Sequence, residues 1–302
     1  MSKALTIFTP TYNRAYILPQ LYNSLKKQTI NDFEWLIVDD GSSDNTEELV
    51  NKWIDEKLVH IRYIKQKNGG KMKAHNVGVQ KSDAELFFCV DSDDYIVDAS
   101  VEKILNKWNS LSINEQESLA GMVGYKGVSE DLPIGNRFPE NVERDSLSGF
   151  YQKGLSGDTS LIFRTEVIKK FPFPIIGNEK FITEAYVYDQ IDRCYQLYAI
   201  PEVLTICEYR EDGLTRNLPE ITFRNPCGYV AYNLQRGNFA KTTKECFLFY
   251  VRASAFSKYT KNMKMPLSPS RKYLYTISRP FGMLFYLHKK KLYARSQRED
   301  NR

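Results

Sequence analysis

Phe33 to Ile64 reads FEWLIVDDGSSDNTEELVNKWIDEKLVHIRYI, and this stretch decides the fold. Its opening, Phe33 to Asp39, is an apolar run rich in β-branched and aromatic residues, the composition of a strand. Asp44 and Glu47 then stand at capping-box spacing ahead of Leu49, Val50, Trp53 and Ile54, which fall on one helical face. Val59 to Ile64 turns back to strand. Strand, helix and strand in so short a span make a βαβ unit, whose crossover returns the chain parallel to itself.

Working outward, Ala4 to Thr9 (ALTIFT) and Glu85 to Asp91 (ELFFCVD) read as further strands of the same series. The expectation is an α/β fold, a mostly parallel central sheet flanked by helices, with ligands bound at the carboxyl ends of the strands. Beyond residue 110 the pattern loosens into turn-rich stretches at Asp131 to Asn136 and Pro172 to Asn178. Strand-like segments return at Leu161 to Arg164 and Val203 to Tyr209. After Pro226 the sequence turns helical, with Cys246, Phe249, Tyr250, Ala253 and Phe256 on one face. Pro266 and Pro269 interrupt it before a last segment, Phe281 to Tyr293. The expected division is an α/β domain over 1–225 and a basic helical extension over 226–302.

Of the 302 residues, 42% are apolar and 26% charged, an ordinary globular composition that argues against disorder over most of the length. Five scattered cysteines without a CxxC pair suggest neither a disulfide framework nor a zinc site, and fit a reducing compartment. The first residues, MSKALTIFTPTYNR, lack the basic and apolar regions of a secretory signal, and no long apolar run suggests a membrane span. Net charge is +5, unevenly spread. From Arg252 to Arg302 there are 13 Lys or Arg against 2 acidic residues, +11 in all, which leaves 5 − 11 = −6 for the rest. A basic tail of this kind favours an anionic surface, membrane or nucleic acid.

Four polar clusters follow the strands. Thr9-Pro10-Thr11-Tyr12-Asn13-Arg14 comes first; alone it reads equally as a polar turn. Val38-Asp39-Asp40-Gly41-Ser42 closes the second strand, and two adjacent carboxylates ending an apolar strand are costly unless paired, hydrogen-bonded or used. A helix cap explains Asp44 but not Asp39 and Asp40. Asn68-Gly69-Gly70-Lys71-Met72-Lys73-Ala74-His75-Asn76-Val77-Gly78 is the third, where glycines let backbone approach a ligand and Lys71 or Lys73 can meet phosphate. The P-loop spacing is absent. The fourth, Asp91-Ser92-Asp93-Asp94, crowds three carboxylates into four residues, for which a hard cation such as Mg²⁺ or Mn²⁺ is the simplest relief. It is no EF-hand, since Tyr95 and Ile96 stand where that loop needs a ligand and a glycine.

In this order, PTYN, DDGS, NGGKMKAHNVG and DSDD resemble the hallmarks of family 2 glycosyltransferases of the GT-A fold, over roughly residues 4 to 210. The resemblance implies an inverting enzyme of cell-surface polysaccharide synthesis that takes sugar from a nucleoside-diphosphate sugar, a UDP-sugar first among them, to a glycan or lipid-linked glycan. It implies that the Thr9, Pro10 and Thr11 backbone and Asp39 hold the base and that Lys71 lies near the nucleotide. Asp91 would touch ribose or sugar, and Asp93 would ligate Mn²⁺ or Mg²⁺ on the diphosphate. The matching positions Asn13, Asp40, Gly41, Asn76 and Ser92 complete the donor side. The family places its catalytic base in a later acidic motif, matched here by Glu184 in NEKFITEA, although Ala185 replaces the usual acidic neighbour. Glu179 and Asp158 are its rivals. Glu208-Tyr209-Arg210 and Gly213-Leu214-Thr215 also resemble segments of capsule and cell-surface members, and Arg210 or Arg216 could support the diphosphate.

Two other readings share the fold class: a sugar nucleotidyltransferase, against which the missing GxGTR-like loop speaks, and a non-catalytic carbohydrate-binding scaffold, against which intact DDGS and DSDD speak. A dehydrogenase lacks its GxGxxG turn. No nucleic-acid module accompanies the basic tail, so the expected partner is an anionic inner leaflet, with the protein cytoplasmic and peripheral on the cell membrane. Self-association stays open.

Overall fold

The computed structural model describes residues 3–208, 218–261 and 264–299. The chain starts as an alternation of strands and helices: β1 (Leu5–Thr11), α1 (Leu18–Lys26), β2 (Phe33–Asp39), α2 (Thr46–Glu56), β3 (Ile61–Lys65), α3 (Lys71–Lys81) and β4 (Leu86–Cys89). β5 (Asp94–Ile96), α4 (Ser100–Ser110), α5 (Ile113–Ser118), β6 (Leu119–Ser129), β7 (Leu132–Pro133), β8 (Arg144–Asp145), α6 (Leu147–Gln152), β9 (Thr159–Arg164) and α7 (Thr165–Ile168) follow. α8 (Ala185–Ile191), β10 (Gln196–Cys207) and four helices complete the chain: α9 (Leu218–Arg224), α10 (Pro226–Phe239), α11 (Thr243–Ala255) and α12 (Lys272–Glu299).

The main path of the sheet runs β3-β2-β1-β4-β9-β6-β10-β5. β1 to β4 are mutually parallel, β6 and β10 pair in parallel, and β9 and β5 run antiparallel to their neighbours. Every residue of β1 and β2 is buried, as strands covered on both faces require, and this is why both read as nearly unbroken apolar runs. β3, at the edge, is only half-buried. The ladder register brings Thr11 level with Asp39, and Asp39 level with Lys65. The turns that follow β1, β2, β3 and β4 therefore leave the sheet at one edge, its carboxyl edge.

α2 buries Val50 and Trp53, as its apolar face demands, and Trp53 stacks on Tyr22 with ring centroids 4.3 Å apart. Its start differs from the capping-box expectation. The helix begins at Thr46, and Asp44 receives the Thr46 amide (3.1 Å) and hydroxyl (2.6 Å), while its other oxygen takes the Ala15 amide (3.0 Å). Glu47 does not reach back. It pairs with Lys65 at 2.7 Å.

The chain divides into two compact units, Met1–Pro172 with Val187–Tyr209, and Phe173–Tyr186 with Arg210–Arg302. The first holds the sheet and a core that includes Ile7, Leu21, Trp35, Ile37, Phe88, Ile104 and Trp108. The second, beyond its first segment, is mostly helical among the described residues and has its own core, in which Cys246, Tyr250, Ala253 and Phe256 are fully buried. Phe249, the remaining residue on that expected face, is half-buried between the guanidinium groups of Arg236 and Arg252.

Candidate functional site

The four polar turns are joined in series by hydrogen bonds. Asn13 stands at a positive φ of 52°, and its amide donates to the Ser42 hydroxyl (2.8 Å) while its Oδ1 accepts the Ser43 amide (2.8 Å). PTYN is thereby tied to DDGS. Asp40, almost fully buried, accepts Gln66 Nε2 (2.7 Å) and the Gly69 amide (2.8 Å) on one oxygen and the Gly70 amide (2.7 Å) on the other. DDGS is thereby tied to NGGK. Lys71, first residue of α3, sets its ammonium 2.6 Å from Asp91 Oδ1, which ties NGGK to DSDD.

Within that frame the carboxylates have distinct surroundings. Asp39 is fully buried, and its Oδ1 accepts both the Ser42 amide (2.7 Å) and hydroxyl (2.6 Å). Its Oδ2 accepts the Tyr63 hydroxyl, whose own proton is held well above the usual phenol range by burial and by that carboxylate. The desolvation cost of placing Asp39 and Asp40 at a strand end is thus met by internal donors. Gly41 between them and Ser42 has φ 83°, a backbone that a side chain rarely adopts, and a Cβ there would lie 3.0 Å from the Asn68 amide.

The crowding of DSDD is relieved inside the chain by two ammonium groups. One is Lys71. The other is Lys126 of β6, whose Nζ lies 2.7 Å from Asp94 Oδ2 while the Cys207 thiol donates to Asp94 Oδ1 at 2.9 Å. Burial works against the Lys126 charge, yet Asp94 and Asp91 raise its proton affinity above the ordinary lysine value. Burial likewise pushes the Asp94 carboxyl and the Cys207 thiol up. At Asp91 burial acts in the same sense, but Lys71 and Lys126 outweigh it and bring the carboxyl down to about 2. Asp91 is therefore ionised at any physiological pH.

Asp93 is the half-buried carboxylate of the turn that neither lysine takes up, and among the described residues no hydrogen bond or ion pair engages it. Ser92 beside it is buried, and Asn76 lies half-buried on α3. Thr9 and Pro10 are buried in β1, with the Thr9 hydroxyl accepting Trp35 Nε1 at 2.9 Å. The Thr11 hydroxyl is buried and has no hydrogen-bond partner, a state that few buried polar atoms keep unless a ligand or water meets them.

Among the described residues no three His, Cys, Asp or Glu side chains converge to cage a metal. The one carboxylate of the turn left uncommitted, Asp93, with Asp91 beside it already paired to Lys71, would suit a hard cation that keeps its waters and takes further oxygens from a bound diphosphate. The two do not suit a resident cage.

The second unit carries the candidate base. Glu184 is half-buried immediately ahead of α8, and Ile182 and Tyr186 on either side of it are buried. Its rival Glu179 is engaged elsewhere. The two Glu179 oxygens accept the Cys227 amide (2.8 Å) and the Gly228 amide (2.7 Å) at the start of α10, where a helix presents unpaired amides. Asn225 Oδ1 accepts the Lys180 amide at 2.8 Å, and Gln235 Nε2 donates to the Tyr186 carbonyl at 2.8 Å. The segment bearing Glu184 is so fastened to α10 on both sides. Arg210, Arg216 and the Gly213-Leu214-Thr215 stretch lie outside the described residues.

Sequence reasoning missed Lys126, Cys207, Tyr63 and Gln66. No motif marks them; each reaches the site through the pairing of its strand or the loop after it.

A mostly parallel sheet with its polar turns gathered on the carboxyl edge, the last of them acidic, is an α/β fold of the GT-A kind. Residues 6–113 match the model of glycosyl transferase family 2. A glucosyltransferase of Campylobacter jejuni, GalNAc(5)-diNAcBac-PP-undecaprenol beta-1,3-glucosyltransferase, is 23% identical over 280 residues, which are 86% of this chain and 84% of that protein. TarP of Staphylococcus aureus, a poly(ribitol-phosphate) beta-N-acetylglucosaminyltransferase, is 27% identical over 182 residues, 59% of this chain. The chain spans about half the length of TarP, 51%. In fold it is similar to the S. aureus TarS 1-349 structure in complex with UDP-GlcNAc, with a TM-score of 0.57 at 19% identity, over 92% of this chain and 79% of that one.

Proposed function

We propose that the protein is an inverting glycosyltransferase of cell-surface glycan synthesis that moves a sugar from a nucleoside-diphosphate sugar onto a glycan or lipid-linked glycan. The observation that carries this reading is the series of hydrogen bonds and ion pairs joining PTYN, DDGS, NGGK and DSDD, which ends on Asp91 and leaves Asp93, two residues on in the same turn, uncommitted. UDP-sugars stand first among donors, because the TarS structure of similar fold holds UDP-GlcNAc. The lipid-linked acceptor follows from the Campylobacter enzyme, whose name specifies an undecaprenol-linked one.

In this mechanism the Thr9 to Thr11 backbone and Asp39 receive the base, with Asn13, Asp40 and Gly41 holding their turn in shape. Lys71 lies beside the diphosphate, and Asp91 meets ribose or sugar with Ser92 and Asn76 near it. Asp93, assisted by Asp91, would hold Mn²⁺ or Mg²⁺, which when bound supplies Lewis-acid stabilisation of the charge on the departing diphosphate. Glu184 removes the proton from the acceptor hydroxyl as that oxygen attacks the anomeric carbon from the face opposite the diphosphate. One bond forms as the other breaks, and the configuration inverts.

The work is placed at the cytoplasmic face of the cell membrane. The attachment proposed is peripheral, through the basic tail, where 13 Lys or Arg stand against 2 acidic residues from Arg252 onward; no helix among the described residues is long and apolar enough to cross a bilayer. Incubation with a panel of UDP-, GDP- and dTDP-sugars and Mn²⁺ tests the enzyme reading. Release of one nucleoside diphosphate above background supports it, and silence across the panel, acceptor lipid included, removes it.

A further inference from the structure

α12 has two unlike faces. On the inner one Leu274, Ser278 and Tyr286 are buried, and a Cβ on Gly282 would lie 2.2 Å from the Ser254 hydroxyl of α11, which shows how closely the two helices pack. Phe285 and Tyr293 also turn inward: Phe285 is half-buried against that core, and Tyr293 stacks on Phe223 with centroids 4.9 Å apart. The outer face is different. Tyr273, Ile277, Phe281, Leu284 and Leu287, spaced by four, four, three and three, form one helical stripe in which every side chain is at least half exposed; Leu284 stands at 66%.

No charged side chain interrupts this stripe. Lys272, Arg279 and Lys290 run along one border, and Lys291 continues the stripe beyond Leu287; all four are exposed. Phe281 at the edge of the stripe meets the Phe247 ring edge-on with centroids 5.4 Å apart, but that contact leaves it half exposed, and so much apolar surface in water on one side of a helix whose other side already has its core goes without an account in packing. A second copy of the helix laid against the stripe would bring these like charges together. An anionic bilayer offers complementary chemistry, acyl chains for the stripe and headgroups for its basic border.

We propose that the outer face of α12 is the surface on which the protein lies on an anionic membrane, with Tyr273, Ile277, Phe281, Leu284 and Leu287 sunk at the headgroup boundary. The proposal deepens the membrane side of the reading above and rests on it. It is tested without any transfer assay, so its failure is separate from a failure of the enzyme reading.

Vesicle flotation of the full chain decides it, using phosphatidylcholine alone and phosphatidylcholine with phosphatidylglycerol. Wild type should float with the anionic vesicles and hardly with the neutral ones, and raised salt should weaken the binding. Leu284→Glu with Leu287→Glu, and separately Lys290→Glu with Lys291→Glu, should each lower the partition by at least about tenfold with an unchanged melting curve, since all four side chains are exposed. Three results would overturn the proposal. They are no flotation with either vesicle, equal flotation with both, or a concentration-dependent dimer in light scattering that the leucine pair of substitutions abolishes. The salt dependence needs no variant, so the test stands even if a variant misfolds.

Discussion

Lys126 and Asp94 show what the chain spends to hold its acidic turn. Their side chains are only 17% and 4% exposed, and they meet at 2.7 Å. Breaking such a pair leaves a charge in a poor solvent, at a cost of about 3–5 kcal/mol, whereas neutralising both partners is often nearly neutral. Lys126→Met should therefore lower the unfolding free energy by roughly that amount, and Lys126→Met with Asp94→Asn should recover most of it. Urea denaturation of the two variants checks this, and a double variant as unstable as the single one would show that the loss lies elsewhere. Asp94 was legible in sequence as part of DSDD; Lys126 was not. It lies 32 residues further on, in a strand that is recognised only once β6 has found its partners.

At the scale of elements, the first four strands and α2 were readable, since β1 and β2 are nearly unbroken apolar runs buried on both faces and α2 has one apolar stripe, whereas α1 and α3 were not read. β6 was not readable. Its sequence LAGMVGYKGVS carries three glycines, which lower strand propensity, while its fit between β9 and β10 admits backbone where a side chain would collide. β5, with three residues, is too short for a period to show. α3 offers a test of how tightly an element must sit. A Cβ on Gly78 would come within 2.3 Å of the Phe8 ring, so the last glycine of the AHNVG segment sets the approach of α3 to β1. Gly78→Ala should destabilise by about 1–3 kcal/mol despite the better helix propensity of alanine. Thermal and denaturant unfolding measure it, and an unchanged or higher midpoint would mean that α3 can shift at no cost.

For the whole molecule, the division of labour differs from the order along the chain. The residues proposed for the donor side lie in the first unit, whereas Glu184 belongs to a segment that packs with the helices near the end of the chain, held there by Glu179, Asn225 and Gln235. The residues proposed for the donor side stood out in the sequence because they sit in short local motifs. The fastening of the Glu184 segment joins residues some 45 to 49 positions apart and left no local mark. As the proposed general base, Glu184 has a kinetic signature: Glu184→Gln should lower turnover by ~10²–10⁴-fold with donor affinity nearly unchanged. Donor affinity lost in parallel would make it a binding residue. Full loss in Asp158→Asn with Glu184→Gln still active would move the base to Asp158.

The central claim is that the acidic turn after β4 receives a nucleoside diphosphate together with a divalent cation through Asp93. Calorimetric titration of UDP into wild type and Asp93→Asn, each with Mn²⁺ and with EDTA, tests it most directly. Wild type should bind UDP tightly only when Mn²⁺ is present, and the variant, at an unchanged melting temperature, should bind weakly and with no dependence on the metal. Equal, metal-dependent binding by both proteins, or binding to wild type that EDTA leaves untouched, would contradict it.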